Sequence, residues 1–297
     1  MKLRDLEYFC YLYKVGTFTG VAKHFKVEQP TVTLAIKRLE DALKTKLAFR
    51  DRSKGLIQIT PAGEILYRHA SNMLRDAKLA DLEINHYNSK KIRFGLPPII
   101  GSLYFPLVID GIIQDHLLDD LEVDETGSQQ LLLDLLGGKV DIALLGSPLP
   151  IQNDAINTTF LTSRQFVIIS SRDHWLNNRQ SISFSELKDE PFISLNGRFI
   201  HSEVLKVYSD QAKFHPHIIF ETQSIETMKR LVEKNAGIGV LVKDAISPAD
   251  QLATTTLRNP LPERFNISIA TRKDYLADAH EQAFISDLFK LQSIINH

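Results

Sequence analysis

Three apolar stripes of helical spacing occupy the first 43 residues, and a very short segment parts the second from the third. Leu6, Phe9, Cys10 and Tyr13 stand at i, i+3, i+4 and i+7, the spacing of one helical face. Phe18, Val21, Ala22 and Phe25 repeat that spacing, and Val32, Ile36, Leu39 and Leu43 form a third stripe. Gly16 parts the first two, and Thr17 is placed to cap the second helix. Only Lys26, Val27, Glu28 and Gln29 lie between the second and third. Two helices joined by so short a turn are a helix-turn-helix signature. Pro30 suits the first turn of the third helix, where an N–H has no intrahelical partner.

On that third helix Gln29, Thr31, Thr33, Leu34 and Lys37 lie off the buried stripe. The N-terminal end of such a helix is the part that enters a major groove. Gln29 offers the donor–acceptor pair that matches adenine. Thr31 and Thr33 suit a base edge or a phosphate, and Leu34 suits a thymine methyl. Lys37 and Arg38 are expected to neutralise phosphates. Phe49 to Ile59 reads as a hairpin turning at Ser53-Lys54-Gly55, with Arg50, Arg52 and Lys54 on its exposed side. That is the pattern of a wing on the DNA backbone. Charge agrees. Residues 1–60 carry twelve Lys and Arg against six Asp and Glu, while the whole chain has a net charge of −1. A basic end on an acidic chain points to an anionic partner, double-stranded DNA first.

The first sixty-odd residues resemble the LysR-type transcriptional regulators. The resemblance rests on Leu6, Phe9, Val15-Gly16-Thr17-Phe18-Thr19, Ala22, Val27, Gln29-Pro30-Thr31-Val32-Thr33, Ile36, Leu39-Glu40, Leu43, Leu47, Arg50 and Thr60-Pro61-Ala62-Gly63. Some positions depart from the family pattern. Val21 replaces a usual alanine and Glu28 a usual serine cap. Lys44 stands where glycine is common, and Ala48 where phenylalanine is common. Phe49, one place on, is expected to fill the pocket that Ala48 leaves. Cys10, the single cysteine, is read as a small core residue.

Thr60-Pro61 reads as a cap and first-turn proline. No strong breaker follows before Asn88-Ser89. Within that stretch Leu66, Ala70, Met73, Ala77, Ala80, Ile84 and Tyr87 are spaced alternately four and three residues apart, a heptad seam. A helix outside any core has little of its own domain to pack on, so the seam is expected to join two chains. In the family this helix pairs two DNA-binding domains, which implies a partly palindromic site.

From about residue 91 strand and helix patterns alternate. Ile92–Leu96, Leu121–Thr126 and Val140–Leu145 read as strands, with helical patterns between them. Phe166–Ser170, Phe192–Leu195, Ile218–Thr222, Gly239–Val242 and Phe265–Thr271 follow as strands, and Ile225–Glu233 and Ala283–Leu291 as helices. The strand–helix–strand–helix–strand order from Ile92 to Leu145 implies a parallel sheet with right-handed crossovers. Leu136-Gly137-Gly138-Lys139-Val140-Asp141-Ile142-Ala143 and Ala236-Gly237-Ile238-Gly239 resemble the LysR-type effector domain.

The resemblance covers essentially the whole chain. It implies an α/β protein with a winged helix-turn-helix at 1–60, a dimerising linker helix at 61–89 and an effector domain at 90–297. That domain would have two lobes like those of periplasmic binding proteins, lobe I at 91–161 and 266–297 and lobe II at 162–265. A small-molecule effector would sit between them. Strand ends are where ligands of open α/β sheets collect. Those ends supply Pro98, Ile100, Gly101 and Ser102, then Gly127 and Ser128, then Gly146, then Thr222 and Ser224. Asn196, Arg198, Phe199 and His201 are expected on a loop facing the same cleft. Hydroxyls and glycines suit a carboxylate. Gly95-Leu96-Pro97-Pro98-Ile99-Ile100-Gly101 is similar to the start of this domain in regulators of organic-acid metabolism, malolactic fermentation among them, so an acid such as malate is the expected effector. The family further implies a homodimer or homotetramer and contact with RNA polymerase.

Other classes fit less well. One cysteine allows neither an intrachain disulfide framework nor a cysteine-rich zinc site. His215 and His217 lack an anchored third ligand, and Gly237-Ile238-Gly239 is no dinucleotide fingerprint. Neither an enzyme nor a bound metal or cofactor is expected. The longest uncharged run, between Arg93 and Asp110, is broken by Pro97-Pro98 and is too short for a membrane span. The first twenty residues carry Asp5 and Glu7, unlike a secretory leader, so a cytoplasmic protein is expected. An effector-independent repressor and a cytoplasmic solute-binding protein remain as alternatives.

Overall fold

The computed structural model describes residues 1–50, 57–86, 89, 91–197 and 199–295. The chain divides into two compact units, Met1–Asn88 and Ser89–His297.

The first unit holds α1 (Leu3–Val15), α2 (Phe18–Phe25), α3 (Gln29–Leu43), β1 (Ala48–Arg50), β2 (Ile57–Ile59) and α4 (Pro61–His86). Gly16 ends α1 in the left-handed region at φ 68°, and Thr17 accepts a hydrogen bond from the Gly20 N–H at 3.1 Å. Phe9, Leu12, Val21, Val32, Leu39 and Leu47 meet in one core. Two expectations are corrected here. Leu43 is 43% exposed, because α3 turns Ala35 and Glu40 inward instead. The Glu40 carboxylate earns its burial by accepting the Leu47 N–H at 3.0 Å and the Lys46 ammonium at 2.6 Å. Phe49 is 57% exposed and fills no pocket, whereas Leu47, two places before it, is fully buried in the core. Lys44 itself adopts φ 53° at the end of α3, which is why glycine suits that place.

Thr60 caps α4 by accepting the Gly63 N–H at 3.0 Å. Gly63 admits no side chain, since a Cβ would lie 2.3 Å from the Leu47 carbonyl oxygen. The seam expectation needs correction at its first two positions. Leu66 and Ala70 are buried in the core of their own unit, where α1 lies against α4. A heptad pattern does not state which helix it faces, and here a helix of the same chain takes its first turns. Cys10 is buried in this core with its thiol 3.8 Å from the Ser71 hydroxyl, and burial pushes the thiol pKa up.

The second unit runs β3 (Ile92–Leu96), α5 (Pro98–Leu103), α6 (Ile109–Gln114), β4 (Leu121–Glu125), α7 (Ser128–Leu136), β5 (Ile142–Ser147) and β6 (Ile156–Arg164). Then come β7 (Phe166–Ser171), β8 (Ser181–Ile182), β9 (Pro191–Leu195), α8 (Ile200–Ala212), β10 (His217–Thr222), α9 (Ile225–Glu233), β11 (Gly239–Val242) and β12 (Leu252–Leu257). β13 (Phe265–Arg272) and α10 (Ala279–Ile295) complete it. One lobe is built on a sheet of order β4-β3-β5-β13-β6. The other joins β10-β9 to β11-β7-β12-β8 through a parallel bridge between Phe192 and Ile238.

The parallel expectation for the first three strands holds, and the return strand departs from it. β3 runs parallel to β4 and β5, but β13 is antiparallel to both β5 and β6. β13 is not the end of a strand–helix–strand crossover. It carries the chain back from the second lobe beside the strand that led there, with Phe265 opposite Arg164. Asp141, just ahead of β5, takes both oxygens to the Arg93 guanidinium at 2.7 and 2.8 Å and also accepts from Arg272 at 2.8 Å. This buried cluster ties β3, β5 and β13 together.

Candidate functional site

In the first unit, α3 presents one continuous exposed face. Pro30, Thr31, Thr33, Lys37 and Arg38 are exposed on it, and Leu34 is 56% exposed. Gln29, at the helix start, is half-buried. Its side-chain amide donates to the Thr33 hydroxyl at 3.1 Å, and that hydroxyl donates to the Gln29 carbonyl at 3.2 Å. The amide oxygen and one N–H are left over, the pair an adenine edge requires. Arg38 departs from the phosphate role expected of it. Its guanidinium pairs with the buried Asp5 carboxylate on α1, and that hydrogen bond raises the Arg38 pKa. Asp5 needs a counter-charge inside the unit, so Arg38 is partly committed. Arg52 and Lys54 lie outside the described residues, as does the Arg50 side chain.

In the second unit a cavity of about 190 Å³ opens between the two lobes. Pro97, Pro98, Ile99, Glu125, Thr126, Gly127, Ser128 and Gly146 line it from one lobe; Phe199, Ile200, His201 and Gln223 line it from the other; Phe265 stands at the crossover between them. Two helices begin at its wall. The first hydrogen bond of α7 runs from the Leu131 N–H to the Gly127 carbonyl, so the preceding N–H groups face forward. α8 starts opposite at Ile200, after Phe199, which offers no capping side chain. The Ser128 hydroxyl accepts the Gly146 N–H at 2.9 Å and keeps its own proton to give.

Of the expected effector residues, Pro98, Gly127, Ser128, Gly146, Phe199 and His201 line this cavity. Ser102 and Ser224 line an adjoining one of about 480 Å³. Ile100 does not line either; α5 turns it fully into the core. Gly101 approaches Leu96 so closely that a Cβ would lie 2.7 Å from its Cδ1. Thr222 lines neither cavity; its hydroxyl accepts the Ser224 N–H at 3.1 Å. Asn196 lines neither cavity; its backbone holds the turn, donating to Thr222 and accepting from Phe199, each at 3.0 Å. His201 is not on a loop: it sits in the first turn of α8 and is 2% exposed. Arg198 lies outside the described residues. Glu125 and Phe265 were missed. A charged residue ending a strand reads as solvated, and an aromatic one starting a strand reads as core.

The lobes also meet away from the cavity. Tyr104 donates to Asp244 Oδ2 at 3.1 Å across the two lobes, and Arg164 Nε lies 2.8 Å from the same oxygen. Burial and the Asp244 charge both raise the Tyr104 pKa, so this hydroxyl remains a donor at neutral pH. Among the described residues no group of three His, Cys, Asp or Glu could hold a metal, and no helix is long and apolar enough to cross a membrane.

A helix-turn-helix unit followed by a two-lobed α/β unit with an interlobe cavity defines a class: a DNA-binding transcriptional regulator with a small-molecule effector domain. The chain belongs to the LysR family. Residues 3–64 match the bacterial regulatory helix-turn-helix of that family, and residues 85–290 match the LysR substrate binding domain. The malolactic fermentation system transcriptional activator of Lactococcus lactis is 32% identical over 98% of this chain and 99% of its own length. An HTH-type transcriptional regulator of Bacillus subtilis is 29% identical over 81% of this chain and 80% of its own. HinK, a LysR family regulator of Pseudomonas aeruginosa, superposes with a TM-score of 0.56 at 22% identity, covering 98% of both chains. The effector binding domain of QuiR in complex with shikimate superposes with a TM-score of 0.58 at 19% identity, over 69% of this chain and 97% of that one. At these identities the structures speak for the fold alone.

Proposed function

We propose that this regulator reads a partly palindromic promoter site with the exposed face of α3, and that a small carboxylate in the interlobe cavity tunes that binding. The carrying observation is the cavity itself, where the starts of α7 and α8 face one another beside the Ser128 hydroxyl. Helix starts present N–H groups and positive dipole ends, which favour an anion. The likeness to the malolactic fermentation activator favours an organic acid, malate first among them. The effector shifts DNA binding only by its differential affinity for two arrangements of the protein, about 1–3 kcal/mol of coupling in typical cases. The protein works in the cytoplasm, where promoter and RNA polymerase are both at hand.

Calorimetry against a set of organic acids tests the cavity. Ser128→Ala is expected to weaken the acid that binds by about tenfold, the worth of one hydrogen bond to a charged group, while DNA affinity without acid stays at the parent value. Unchanged acid binding in that variant would move the effector elsewhere.

Assembly is the second part of the proposal. With Leu66 and Ala70 used within the unit, Met73, Ala77, Ala80 and Ile84 form the seam left on α4, and Met73 and Ile84 are exposed. Pairing this seam between two chains places two recognition helices on one site, and further pairing gives a homotetramer. Met73→Glu in the full chain would bring two carboxylates together on pairing. It is expected to lower the sedimenting mass and to weaken binding to a two-half-site operator more than to a single half-site. A parent-like mass and operator affinity would place the interface off this seam.

A further inference from the structure

Glu28 is the N-cap of α3, at the place where serine is usual in the family, and it is exposed. A capping side chain accepts from the second or third helical N–H. Here the second residue is Pro30, which has no N–H, and the third is Thr31, whose N–H goes to the Glu28 carbonyl at 3.0 Å. The helix thus fixes the Glu28 backbone, while the carboxylate makes no capping bond. Among the described residues no hydrogen bond or ion pair reaches that carboxylate. Lys23 and Lys26, the cations nearest to it in sequence, are exposed and do not pair with it.

A free carboxylate is ordinary on a face that meets only water. This one stands at the end of the helix that enters a major groove. Phosphates flank that groove, and an ionised carboxylate only accepts, so it opposes every DNA sequence unless a donor meets it. On the base edges that donor is an exocyclic amine. Adenine sets its N6 donor beside the N7 acceptor, which opposes a carboxylate. Cytosine presents its N4 donor with no acceptor of its own. Gln29, the next residue, has the complementary fitness: its amide, held by Thr33 at 3.1 Å, offers both a donor and an acceptor.

We propose that Glu28 selects the DNA site: its carboxylate accepts from a cytosine N4 amine in each half-site, beside the base pair that Gln29 reads, and it rejects the other base pairs there by leaving its charge unpaired among the phosphates. This rests on the proposal that α3 reads the promoter, and adds a second base and the residue that chooses it.

The test uses the full chain as parent, Glu28→Ala and Gln29→Ala. Each selects from a randomised duplex pool, and affinities for the selected site and its single-base variants are measured by fluorescence anisotropy at one salt concentration. Because Glu28 is exposed and makes no capping bond, Glu28→Ala tests recognition without disturbing the core. The parent should enrich a cytosine whose preference survives in Gln29→Ala, and should bind it about 5- to 100-fold more tightly than the other bases there, the range for a specific base contact. Glu28→Ala should bring the four base pairs at that position to within about twofold of one another, and should bind random duplex more tightly than the parent does. N4-methylcytosine still pairs with guanine but sets a methyl group where the free N–H stood. It should lower parent binding to the level of the other bases and leave Glu28→Ala within about twofold. A cytosine preference that persists in Glu28→Ala, a parent indifferent to the N4-methyl group, or tighter binding by Glu28→Ala with an unchanged base profile overturns the inference and leaves reading by α3 standing. A parent that selects no sequence over random duplex overturns both.

Discussion

Asp141→Ala is expected to destabilise the second unit by about 3–5 kcal/mol, the cost of breaking a buried ion pair from one side. Arg93 and Arg272 would lose the one carboxylate they share. Both guanidiniums are more than nine-tenths buried. Backbone carbonyls would remain to them: Gly138 for Arg93, and Leu135 and Val140 for Arg272. Carbonyl dipoles do not neutralise two charges. The cluster also explains the Gly137-Gly138-Lys139-Val140-Asp141 motif. Gly138 turns at φ 72°, which brings its carbonyl to Arg93, and Asp141 receives the side chains of two other strands. The motif thus holds β3, β5 and β13 in register rather than touching the effector, since none of its residues lines the cavity. Urea denaturation followed by circular dichroism gives the measurement. Asp154→Ala, at an exposed position, is the control and should fall within about 0.5 kcal/mol of the parent. An Asp141→Ala midpoint equal to that of the control would mean that the two arginines find other partners.

How far the chain could be read in advance depended on whether its signals were local. The first three helices were legible because their apolar spacing, the Gly16 break and the Thr17 cap all lie within a few residues of one another. The start of α8, at His201, was read as part of a loop. Its buried positions Ile200, His201, Val204, Leu205 and Tyr208 form a helical face, but it opens on residues without a capping side chain and includes a histidine. β6 went unread because its middle, Asn157 to Phe160, is exposed and rich in threonine, so no alternation survives. The direction of β13 could not be read at all. Its neighbours lie more than a hundred residues away in sequence, and composition does not encode strand sense. The cavity followed the same rule. Strand ends with glycine and hydroxyls led to Gly127, Ser128 and Gly146. Ile100 was drawn in wrongly because a short helix decides which of two adjacent isoleucines faces out, and α5 leaves Ile99 on the cavity wall.

Gln29→Ala should weaken binding to the native operator by about 1–3 kcal/mol and relax base preference at one position in each half-site. The amide of Gln29 is already oriented before DNA arrives, because Thr33 accepts one of its N–H groups. Less side-chain freedom then remains to be lost on binding, which favours a bidentate contact over a loose one. Thr33→Val keeps the shape but releases the amide, and should give a smaller loss at the same base position. The double variant should lose less than the sum of the two, since both act through one contact. Lys37→Ala is the contrasting case. Its ammonium lies a full turn further along the exposed face, where a phosphate contact carries no sequence information. That variant should weaken every sequence alike and reduce the salt dependence by about one unit of slope. Gel-shift titrations on the operator, on single-base variants and on random DNA, all at one salt concentration, separate these outcomes. If Gln29→Ala kept the parent ratio of operator to random binding, the start of α3 would not be the part that reads bases, and recognition would rest on Leu34 and the residues beyond it.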